Sequence, residues 1–402
     1  MPIRIHLPLG QHMKEISDIP SFETWAKKSP ERKPAAIQDL DLSEHNKLIT
    51  SRQFPDSIFL SCDMDAAVAG HIVQTGGVVI PDLKGFKFQV HRKSLYSVND
   101  LFKGFDINDP KGYESTYDFN VYKQYYCQGK SPKLISTSLA RRLHDHSITD
   151  ALEEELEGRK VVAVMGGHGM ERQDPFFAKI ARVSRLLTKA GFLMVSGGGP
   201  GAMEATHLGA FFSARKKDEL NAAIDIIKVR PTGAEPGREY ADPDWLHRAW
   251  RVLEAYPIPK GKEKDCKSVG IPTWLYGHEP PAPFATHIAK YFANSVREDG
   301  LLAIANHGVI FAPGSAGTTQ EVFQDAAQNH YANQGVFSPM IMFGEEHWTK
   351  NRPVWPLLAT VAKGKEYGEL IALTDSEDEI VRRIKMFDPE IYTKKEKPRF
   401  KC

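Results

Sequence analysis

The stretch Gly308–Glu321, which reads GVIFAPGSAGTTQE, decides the fold expected of this chain. Its apolar run Val309–Ala312 predicts a buried parallel strand, because such strands are covered on both faces. The turn Pro313–Gly317 contains only small residues, which leaves room for a ligand against bare backbone. Thr318 and Thr319 follow as candidate helix caps. The stretch therefore predicts a strand, a small-residue turn and a helix N-terminus in succession.

A helix N-terminus after such a turn is a site for anions, because its N–H groups point outward and its dipole favours negative charge. The residues that we expect to form this site are Gly314, Ser315, Gly317, Thr318 and Thr319. We expect Glu321 in the first helical turn. A carboxylate is not needed to hold a phosphate, so Glu321 calls for another explanation.

The bulk composition is that of an ordinary globular protein. Of the 402 residues, 41% are hydrophobic and 26% are charged, and the formal net charge is +1. This balance gives no reason to expect nucleic acid or an anionic membrane as the partner. Four scattered cysteines without a CxxC pair argue against disulfides and a cysteine-based zinc site, and no other metal-ligand spacing is visible. With no apolar leader and no membrane-length run, we expect a cytoplasmic protein.

Residues 1–135 form the first expected region. Residues 1 to about 50 predict an irregular arm, and a small α/β module follows. Its elements are a strand at Ser57–Ser61, a helix at Met64–Gln74 and a strand at Gly77–Ile80. The many aromatic residues between 85 and 135 favour packing on the surface over base stacking. The role of this region stays open between allosteric control and oligomer packing.

Residues 136–402 predict a Rossmann-like α/β domain with a doubly wound parallel sheet, because strands and helices alternate regularly. The expected strands are Lys160–Met165, Phe192–Val195, Ala223–Val229, Val309–Ala312, Pro339–Phe343 and Leu370–Leu373; the expected helices include residues 137–158, Pro175–Ala190 and His287–Asn306. An insertion at about residues 231–283, with an amphipathic helix near Trp245–Tyr256, suggests a lid or an oligomer contact. The basic stretch Lys394–Arg399 predicts a solvated tail.

Three glycine-rich turns follow predicted strands, and ligands of such sheets bind at the carboxyl ends of strands. The turns are Gly166–Gly169, Gly197–Gly201 and Pro313–Gly317, so we expect them on one edge. Gly167 and His168 are candidates for close approach to a phosphate or base. A histidine in such a turn is also often no more than a satisfied polar residue.

The turn Gly197–Ala202 satisfies the dinucleotide pattern G-x-G-x-x-A, which is a weak signal alone. It is the second strand-to-helix turn of its region, and the predicted strand that follows ends Lys228-Val229-Arg230, with no acid for a ribose diol. A mononucleotide near Gly198 and Gly199 therefore fits better than NAD, and we expect no cofactor. A tight turn without a ligand is the structural alternative.

Together, four motifs resemble those of one protein family in order and spacing. They are MGGH at Met165–His168, SGGGPGAMEATHLG at Ser196–Gly209, EPP at Glu279–Pro281, and Asn306–Glu321. The family is the lysine decarboxylase-like family, which includes the cytokinin-activating phosphoribohydrolases. Within it, the chain looks most like the bacterial pyrimidine/purine nucleotide 5′-monophosphate nucleosidases. The resemblance covers roughly Thr137–Tyr331.

The resemblance implies hydrolysis of the N-glycosidic bond of a nucleoside 5′-monophosphate, which releases free base and ribose 5-phosphate. The family pattern PGGxGTxxE implies that Gly317, Thr318 and Thr319 bind the 5′-phosphate. It also implies that Glu321 faces the ribose. The chemistry agrees, since glycosidic cleavage develops a cationic sugar that a carboxylate stabilises while it orients or deprotonates the attacking water.

The resemblance also implies a catalytic arginine on the preceding helix, for which Arg297 is the nearest candidate and Lys290 the alternative. Met203 and Glu204 are implied to lie near the base and sugar. The chain departs from the family at Ser315, which replaces a glycine. If that position needs a positive φ, the turn must differ, or the hydroxyl adds a ligand contact.

Our main hypothesis is a nucleotide 5′-monophosphate nucleosidase that forms a homo-oligomer. A second hypothesis is a nucleotide-sensing protein of the same fold that binds without cleaving. An NAD-dependent dehydrogenase is disfavoured by the missing ribose-binding acid. No residue environment supports lysine decarboxylation, and the base preference stays open.

Overall fold

The computed structural model describes residues 13–28, 33–109, 112–229, 234–331 and 337–392. The expected basic tail Lys394–Arg399, Cys402 and Arg230 lie outside these ranges. Contacts divide the chain into two compact units: Met1–Ser94 with Ser131–Ala151, the smaller unit, and Leu95–Lys130 with Leu152–Cys402, the larger unit. No helix in the described ranges is both long enough and apolar enough to cross a membrane.

The smaller unit holds a four-stranded parallel sheet in the order β1-β2-β3-β4. The strands are β1 Lys14–Ile16, β2 Ala35–Gln38, β3 Ile58–Leu60 and β4 Val78–Ile80, and the helices are α1 Ile19–Lys27, α2 Asn46–Thr50 and α3 Ala66–Gln74. The predicted strand, helix and strand between residues 57 and 80 are therefore confirmed.

The irregular arm expected for residues 1–50 is wrong where the chain is described. Residues 13–50 supply two strands of the sheet and two helices. Phe22 of α1 is fully buried with Phe54 and Phe59, whose rings pack edge to face at 5.2 Å. Isolated apolar residues in a polar stretch carry little periodicity, so the sequence pattern underestimated how much of this segment enters a core.

The larger unit holds a seven-stranded sheet, parallel throughout, in the order β11-β10-β9-β5-β6-β7-β8. The strands are β5 Val161–Met165, β6 Leu193–Ser196, β7 Ser268–Gly270, β8 His287–Ile288, β9 Val309–Phe311, β10 Met340–Phe343 and β11 Ile371–Thr374. Helices flank this sheet, which is the α/β, Rossmann-like doubly wound architecture expected from the sequence.

The helices that follow in chain order complete the fold. They are α4 Val98–Leu101, α5 Tyr117–Gln128, α6 Ile135–Leu156, α7 Pro175–Lys189, α8 Ala202–Phe211, α9 Lys217–Ile227, α10 Pro243–Ala255, α11 Asn294–Ala303, α12 Ala316–Tyr331, α13 Trp355–Ala362 and α14 Glu377–Met386. The helices predicted near residues 137–158, 175–190 and 245–256 are confirmed.

The strand predicted at Ala223–Val229 is wrong, because residues 223–227 belong to helix α9. Its buried residues Leu220, Ala223, Ile224 and Ile227 recur at helical spacing. The neighbour of β6 is instead β7, which lies within the segment expected to be an insertion. A strand of three residues, in a segment rich in proline, leaves almost no periodic signal.

The helix predicted at His287–Asn306 is correct only in its second half. His287 and Ile288 form the edge strand β8, and α11 begins at Asn294. The amide of Ile288 donates to the carbonyl of Tyr96 at 2.7 Å, and the amide of Tyr96 donates back at 3.0 Å. Parallel pairing with β7 places these two residues in the sheet, and the contact with Tyr96 is an isolated antiparallel bridge.

The expected boundary near residue 135 also differs from the observed division, because Leu95–Lys130 belongs to the larger unit. Tyr96 and Phe102 are buried, and the rings of Phe102 and Phe105 lie 5.0 and 4.6 Å from that of Trp250. Some aromatic residues of this segment therefore lie in a core, while Tyr126 is exposed at the surface as expected.

Candidate functional site

The three glycine-rich turns meet at the carboxyl ends of β5, β6 and β9, as expected. Strands β5 and β9 are neighbours, although the chain passes through β6, β7 and β8 between them. The sheet therefore reverses its direction of growth between β5 and β9, and crevices at such points are where open α/β sheets bind ligands. The turns after these two strands are the first and third glycine-rich turns.

A cavity of about 220 Å³ lies at this edge. We call it the carboxyl-edge cavity. It is lined by Val164, Met165, Gly166, Gly167, His168, Gly197, Met203, Tyr276, Glu279, Arg297, Glu298, Ser315, Gly317, Thr318, Gln320 and Glu321. Of the predicted site residues, it brings together Gly167, His168, Met203, Arg297, Ser315, Gly317, Thr318 and Glu321.

Glycine lets the turns approach one another at backbone distance. A Cβ on Gly166 would lie 2.5 Å from the Cβ of Ala202 and 3.1 Å from that of Ala312. Gly201 has φ +71°, and a Cβ there would collide with the carbonyl oxygen of Gly167. Gly167 in turn donates its N–H to Pro313 at 3.1 Å. The three turns therefore brace one another and fix the shape of the cavity.

Five predicted site residues do not line the cavity: Gly198, Gly199, Glu204, Gly314 and Thr319. A Cβ on Gly198 would lie 2.9 Å from the amide nitrogen of Ile271, so this glycine serves packing against the end of β7. The amide of Gly314 donates to Nε2 of His347 at 3.3 Å, and the hydroxyl of Thr319 donates to the carbonyl of Ser315 at 3.1 Å. These polar groups already have partners within the protein.

Glu204 does not line the cavity either, because it forms a buried ion pair with Arg172. The guanidinium donates to the two carboxylate oxygens at 2.5 and 3.0 Å and to the carbonyl of Trp245 at 2.7 Å. Burial raises the pKa of Glu204, while the charge of Arg172 lowers it. The family resemblance implies a ligand contact for Glu204, but its side chain is buried in the interior.

Helix α12 begins at Ala316, earlier than expected. Thr318 and Thr319 therefore lie within its first turn instead of capping it, and Glu321 lies in the second turn. Ser315 precedes the helix, is exposed, and is not among the described residues with a positive φ. A Cβ is thus compatible with this turn, and the replacement of the family glycine introduces no backbone strain.

Arg297 of α11 reaches the cavity and is held there by its neighbours. Its Nε donates to the carbonyl of Ile271 at 3.1 Å, and its Nη1 lies 3.9 Å from Oε1 of Glu321. Its guanidinium also lies against Gly197, where any side chain would collide with Nη2. The guanidinium and the carboxylate that the family resemblance implies therefore face each other.

Lys290, the alternative cation, is not in the cavity. Its ammonium donates to Asp118 at 2.7 Å, and both side chains are buried. Asp118 also accepts from the hydroxyl of Tyr113 at 2.6 Å and from the indole N–H of Trp274 at 2.9 Å. The pKa of Lys290 is lowered by burial, against the opposing effect of Asp118. Lys290 is part of an interior polar cluster.

Burial controls the titration of Glu321. It raises the pKa of this carboxyl from 4.5 to about 7, while the positive charge of Arg297 opposes the shift and Glu298 adds to it. A carboxyl group that titrates near neutral pH can exchange a proton with substrate or water under ordinary conditions. Glu321 is therefore suited to acid–base work.

Glu279 is a second carboxylate of the cavity, and it is not among the site residues predicted from the sequence. Burial raises its pKa, while His168, His278 and Arg297 lower it when charged. A Cβ on Gly199 would lie 3.6 Å from its Oε2, so Glu279 reaches the second glycine-rich turn. Its motif, EPP, belongs to the family resemblance, but nothing nearby in the sequence indicates that Glu279 lines the same cavity as Glu321.

The cavity thus combines two carboxylates of raised pKa, one guanidinium, one histidine and the start of helix α12. The described residues contain no group of three or more His, Cys, Asp or Glu arranged to hold a metal ion. Strand β7, the true neighbour of β6, runs into Gly270-Ile271-Pro272 without an acid for a ribose diol. Fold and cavity define a Rossmann-like α/β protein with a polar cavity at the switch point.

No protein-family model matches the chain, and no curated protein matches it. Similar solved structures include the molybdenum cofactor binding protein of the phototrophic bacterium Rippkaea orientalis, with 14% identity and a TM-score of 0.35. The molybdenum cofactor carrier protein of Chlamydomonas reinhardtii has 11% identity and a TM-score of 0.34. Each similarity covers 56% of this chain and 96% of the other. Likeness at these TM-scores carries no argument about function.

Proposed function

We propose that the protein hydrolyses the N-glycosidic bond of nucleoside 5′-monophosphates, which gives free base and ribose 5-phosphate. The observation that carries the proposal is the meeting of Glu321 and Arg297, whose Oε1 and Nη1 lie 3.9 Å apart in a cavity built from all three motif turns. The motifs that resemble the nucleosidase branch are distant in sequence, yet they line one cavity of nucleotide-binding type.

The 5′-phosphate binds at the start of helix α12. Ser315 and Gly317 are exposed and line the cavity, and the helix dipole favours an anion there. Thr318 adds a hydroxyl to the same wall. Phosphate binding remote from the reacting bond orients the sugar, so part of its binding energy lowers the barrier.

Glu321 has two roles at the ribose. As a carboxylate it stabilises the positive charge that develops on the ribose and accepts a proton from the attacking water. Arg297 favours the ionised form of Glu321 and is fixed by the carbonyl of Ile271. The geometry therefore supports a carboxylate that is held in place and partly ionised near neutral pH.

Glu279 supplies the leaving-group proton. Burial raises its pKa, which favours the protonated form, and it lines the same cavity as Glu321. In one turnover the C1′–N bond breaks and the base nitrogen takes the proton of Glu279. The water oxygen bonds to C1′ and its proton passes to Glu321. Glycoside hydrolysis usually uses two carboxyl groups with different roles.

The experiment is incubation of purified protein with AMP, GMP, IMP, CMP and UMP, with free base and ribose 5-phosphate measured by chromatography. We expect turnover of at least one nucleotide, and much slower turnover of the corresponding nucleoside, which lacks the phosphate. A folded protein that releases base from none of the five would contradict the proposal.

A second candidate function is nucleotide sensing without cleavage. The observation in its favour is that the amide of Gly314 already donates to His347, so this part of the turn offers fewer free donors than expected. Tight nucleotide binding by calorimetry with no ribose 5-phosphate formed would select this function. The homo-oligomer and the cytoplasmic location stay predictions, which light scattering and fractionation would test.

A further inference from the structure

A second cavity, of about 810 Å³, lies at the opposite edge of the large sheet. Phe192 directly precedes β6, Lys267 directly precedes β7, and Arg159 lies two residues before β5, so these residues mark the amino ends of the strands. We call it the amino-edge cavity. It is lined by Arg159, Arg185, Thr188, Lys189, Gly191, Phe192, Leu193, Ser213, Ala214, Arg215, Lys216, Lys217, Lys262, Lys264, Asp265 and Lys267.

Its lining is strongly basic. Nine of these residues are lysine or arginine, and Asp265 is the one acid among them. The whole chain has a formal net charge of +1, so this concentration of positive charge is local. Like charges held close together repel, and the arrangement costs free energy unless anions neutralise it.

Acidic neighbours neutralise only some of these cations. The ion pairs are Arg159–Glu155 at 3.7 Å, Lys267–Glu155 at 2.6 Å, Arg215–Glu219 at 2.7 Å and Lys262–Asp265 at 2.9 Å. Lys189, Lys216, Lys217 and Lys264 are exposed and form no ion pair within the described residues. Positive charge therefore remains at the mouth of the cavity.

Two arginines give the cavity a fixed wall. The guanidinium of Arg185 is buried and donates to the carbonyls of Phe212, at 3.1 Å, and of Arg215. Arg215 donates to the carbonyl of Pro257 at 2.6 Å, while its buried Nε has no acceptor in the described part of the chain. Helix α9 begins here at Lys217, and its dipole adds to the positive potential.

We propose that the amino-edge cavity binds a small oligophosphate, an anion that carries two or more linked phosphate groups. A single phosphate is too small and too weakly charged to meet cations spread around 810 Å³, whereas a chain of phosphates spans them. Nucleic acid is the less suitable polyanion, because it requires a basic stripe along a surface and the basic residues here surround a recess.

The oligophosphate site is independent of the proposed nucleosidase activity, since it lies at the other edge of the sheet and shares no lining residue with the carboxyl-edge cavity. Either assignment can fail while the other holds. The phosphate chain can come from an inorganic oligophosphate or from the tail of a nucleotide, and the two sources are distinguished by comparing tripolyphosphate with ATP.

The test is calorimetric titration of the full chain with tripolyphosphate, ATP and orthophosphate at fixed ionic strength. We expect tripolyphosphate to bind at least tenfold more tightly than orthophosphate, and more weakly as salt is added. Equal affinities for tripolyphosphate and ATP indicate that the phosphate chain alone is recognised; tighter binding of ATP indicates a nucleotide.

The decisive variant is the triple substitution Lys189→Ala, Lys217→Ala and Lys264→Ala, which removes exposed charges without breaking an ion pair. We expect at least tenfold weaker binding of tripolyphosphate. The control is the triple Lys47→Ala, Lys123→Ala and Lys350→Ala, which changes the net charge equally at exposed positions elsewhere. It should stay within twofold of the unchanged protein.

Several results would overturn the proposal. They are no binding of tripolyphosphate by the unchanged protein, the same loss in both triple variants, or loss of binding in Arg297→Ala, which would assign the anion to the carboxyl-edge cavity. A single-stranded RNA that binds more tightly than tripolyphosphate, and loses affinity in the first triple variant, would assign the cavity to nucleic acid. Circular dichroism establishes that each variant is folded.

Discussion

The two edges of the large sheet are built on different physical principles. The carboxyl-edge cavity encloses about 220 Å³ and contains few charges, of which Arg297 and Glu298 are held by hydrogen bonds. The amino-edge cavity encloses about 810 Å³ and contains nine cations, several of which have no acidic partner among the described residues. The carboxyl-edge cavity contains side chains of different chemistry, whereas the amino-edge cavity contains many lysine and arginine side chains.

This contrast indicates how each edge should respond to substitution. A group that is buried and individually placed, such as Glu321, has no substitute nearby, so its loss should be large. A cation in the amino-edge cavity has many equivalents, so a single loss should be small and only several together should matter. The following predictions run from the largest expected effect to the smallest.

Glu321→Gln should lower kcat by about a thousandfold or more, because the amide can neither stabilise the cationic sugar nor accept a proton. Nucleotide binding should persist. Steady-state kinetics with the best nucleotide, together with calorimetry, measure both quantities. The control is Glu298→Gln, since Glu298 lines the same cavity but accepts a hydrogen bond from Asn294 at 2.6 Å. Equal losses in the two variants would contradict the role given to Glu321.

Arg172→Met should destabilise the fold by about 3–5 kcal/mol, because it leaves the buried carboxylate of Glu204 without its partner. The double variant Arg172→Met with Glu204→Leu should recover much of this loss. Denaturant unfolding measures both. This prediction separates Glu204, which lies behind the carboxyl-edge cavity, from Glu321 inside it. If the double variant is no more stable than Arg172→Met, the unpaired charge of Glu204 is not the cause of the destabilisation.

Glu321 should also make the fold less stable as pH rises. Its pKa is about 7 in the folded protein and 4.5 ordinarily, so between these values the folded state holds a proton that the unfolded state has released. The free energy of unfolding should therefore fall between pH 4.5 and 7, by up to about 3 kcal/mol, and then level off.

The check is unfolding of the protein and of Glu321→Gln at pH 4 and pH 8. The variant has no titrating group at this position, so its stability relative to the unchanged protein should increase at pH 8. If Glu321→Gln loses activity and gains stability, Glu321 is a functional group whose burial destabilises the fold. If the free energies of unfolding of the variant and the unchanged protein differ by the same amount at pH 4 and pH 8, burial does not raise the pKa of Glu321.

Ser315→Gly should change KM by less than about threefold and leave kcat unchanged. The position does not need a positive φ, and the serine is exposed, so a glycine adds only flexibility. Steady-state kinetics measure the effect. A gain or loss of tenfold or more would show that the hydroxyl contacts the phosphate, and would make Ser315 a specificity residue of the carboxyl-edge cavity.

Local patterns in the sequence determined most of the large sheet. Strands at residues 161–165, 193–196, 309–311, 340–343 and 371–374 stand out as apolar runs, and the glycine-rich turns after three of them indicate where a ligand binds. These signals are local because burial on both faces and tight turns each require particular residue types in succession. Arg297 and the role of Glu321 were implied only by the family resemblance.

Only the tertiary structure decided which side chains meet. It pairs Glu204 with Arg172, places Glu279 in the same cavity as Glu321, and engages Lys290 with Asp118, and no local pattern indicates any of these arrangements. The same holds for the amino-edge cavity, whose cations come from residues 159 to 267. Helix α9 is different, because its buried apolar residues recur at helical spacing in the sequence itself. Periodicity reports which residues are buried, but the choice of partner depends on contacts between distant segments.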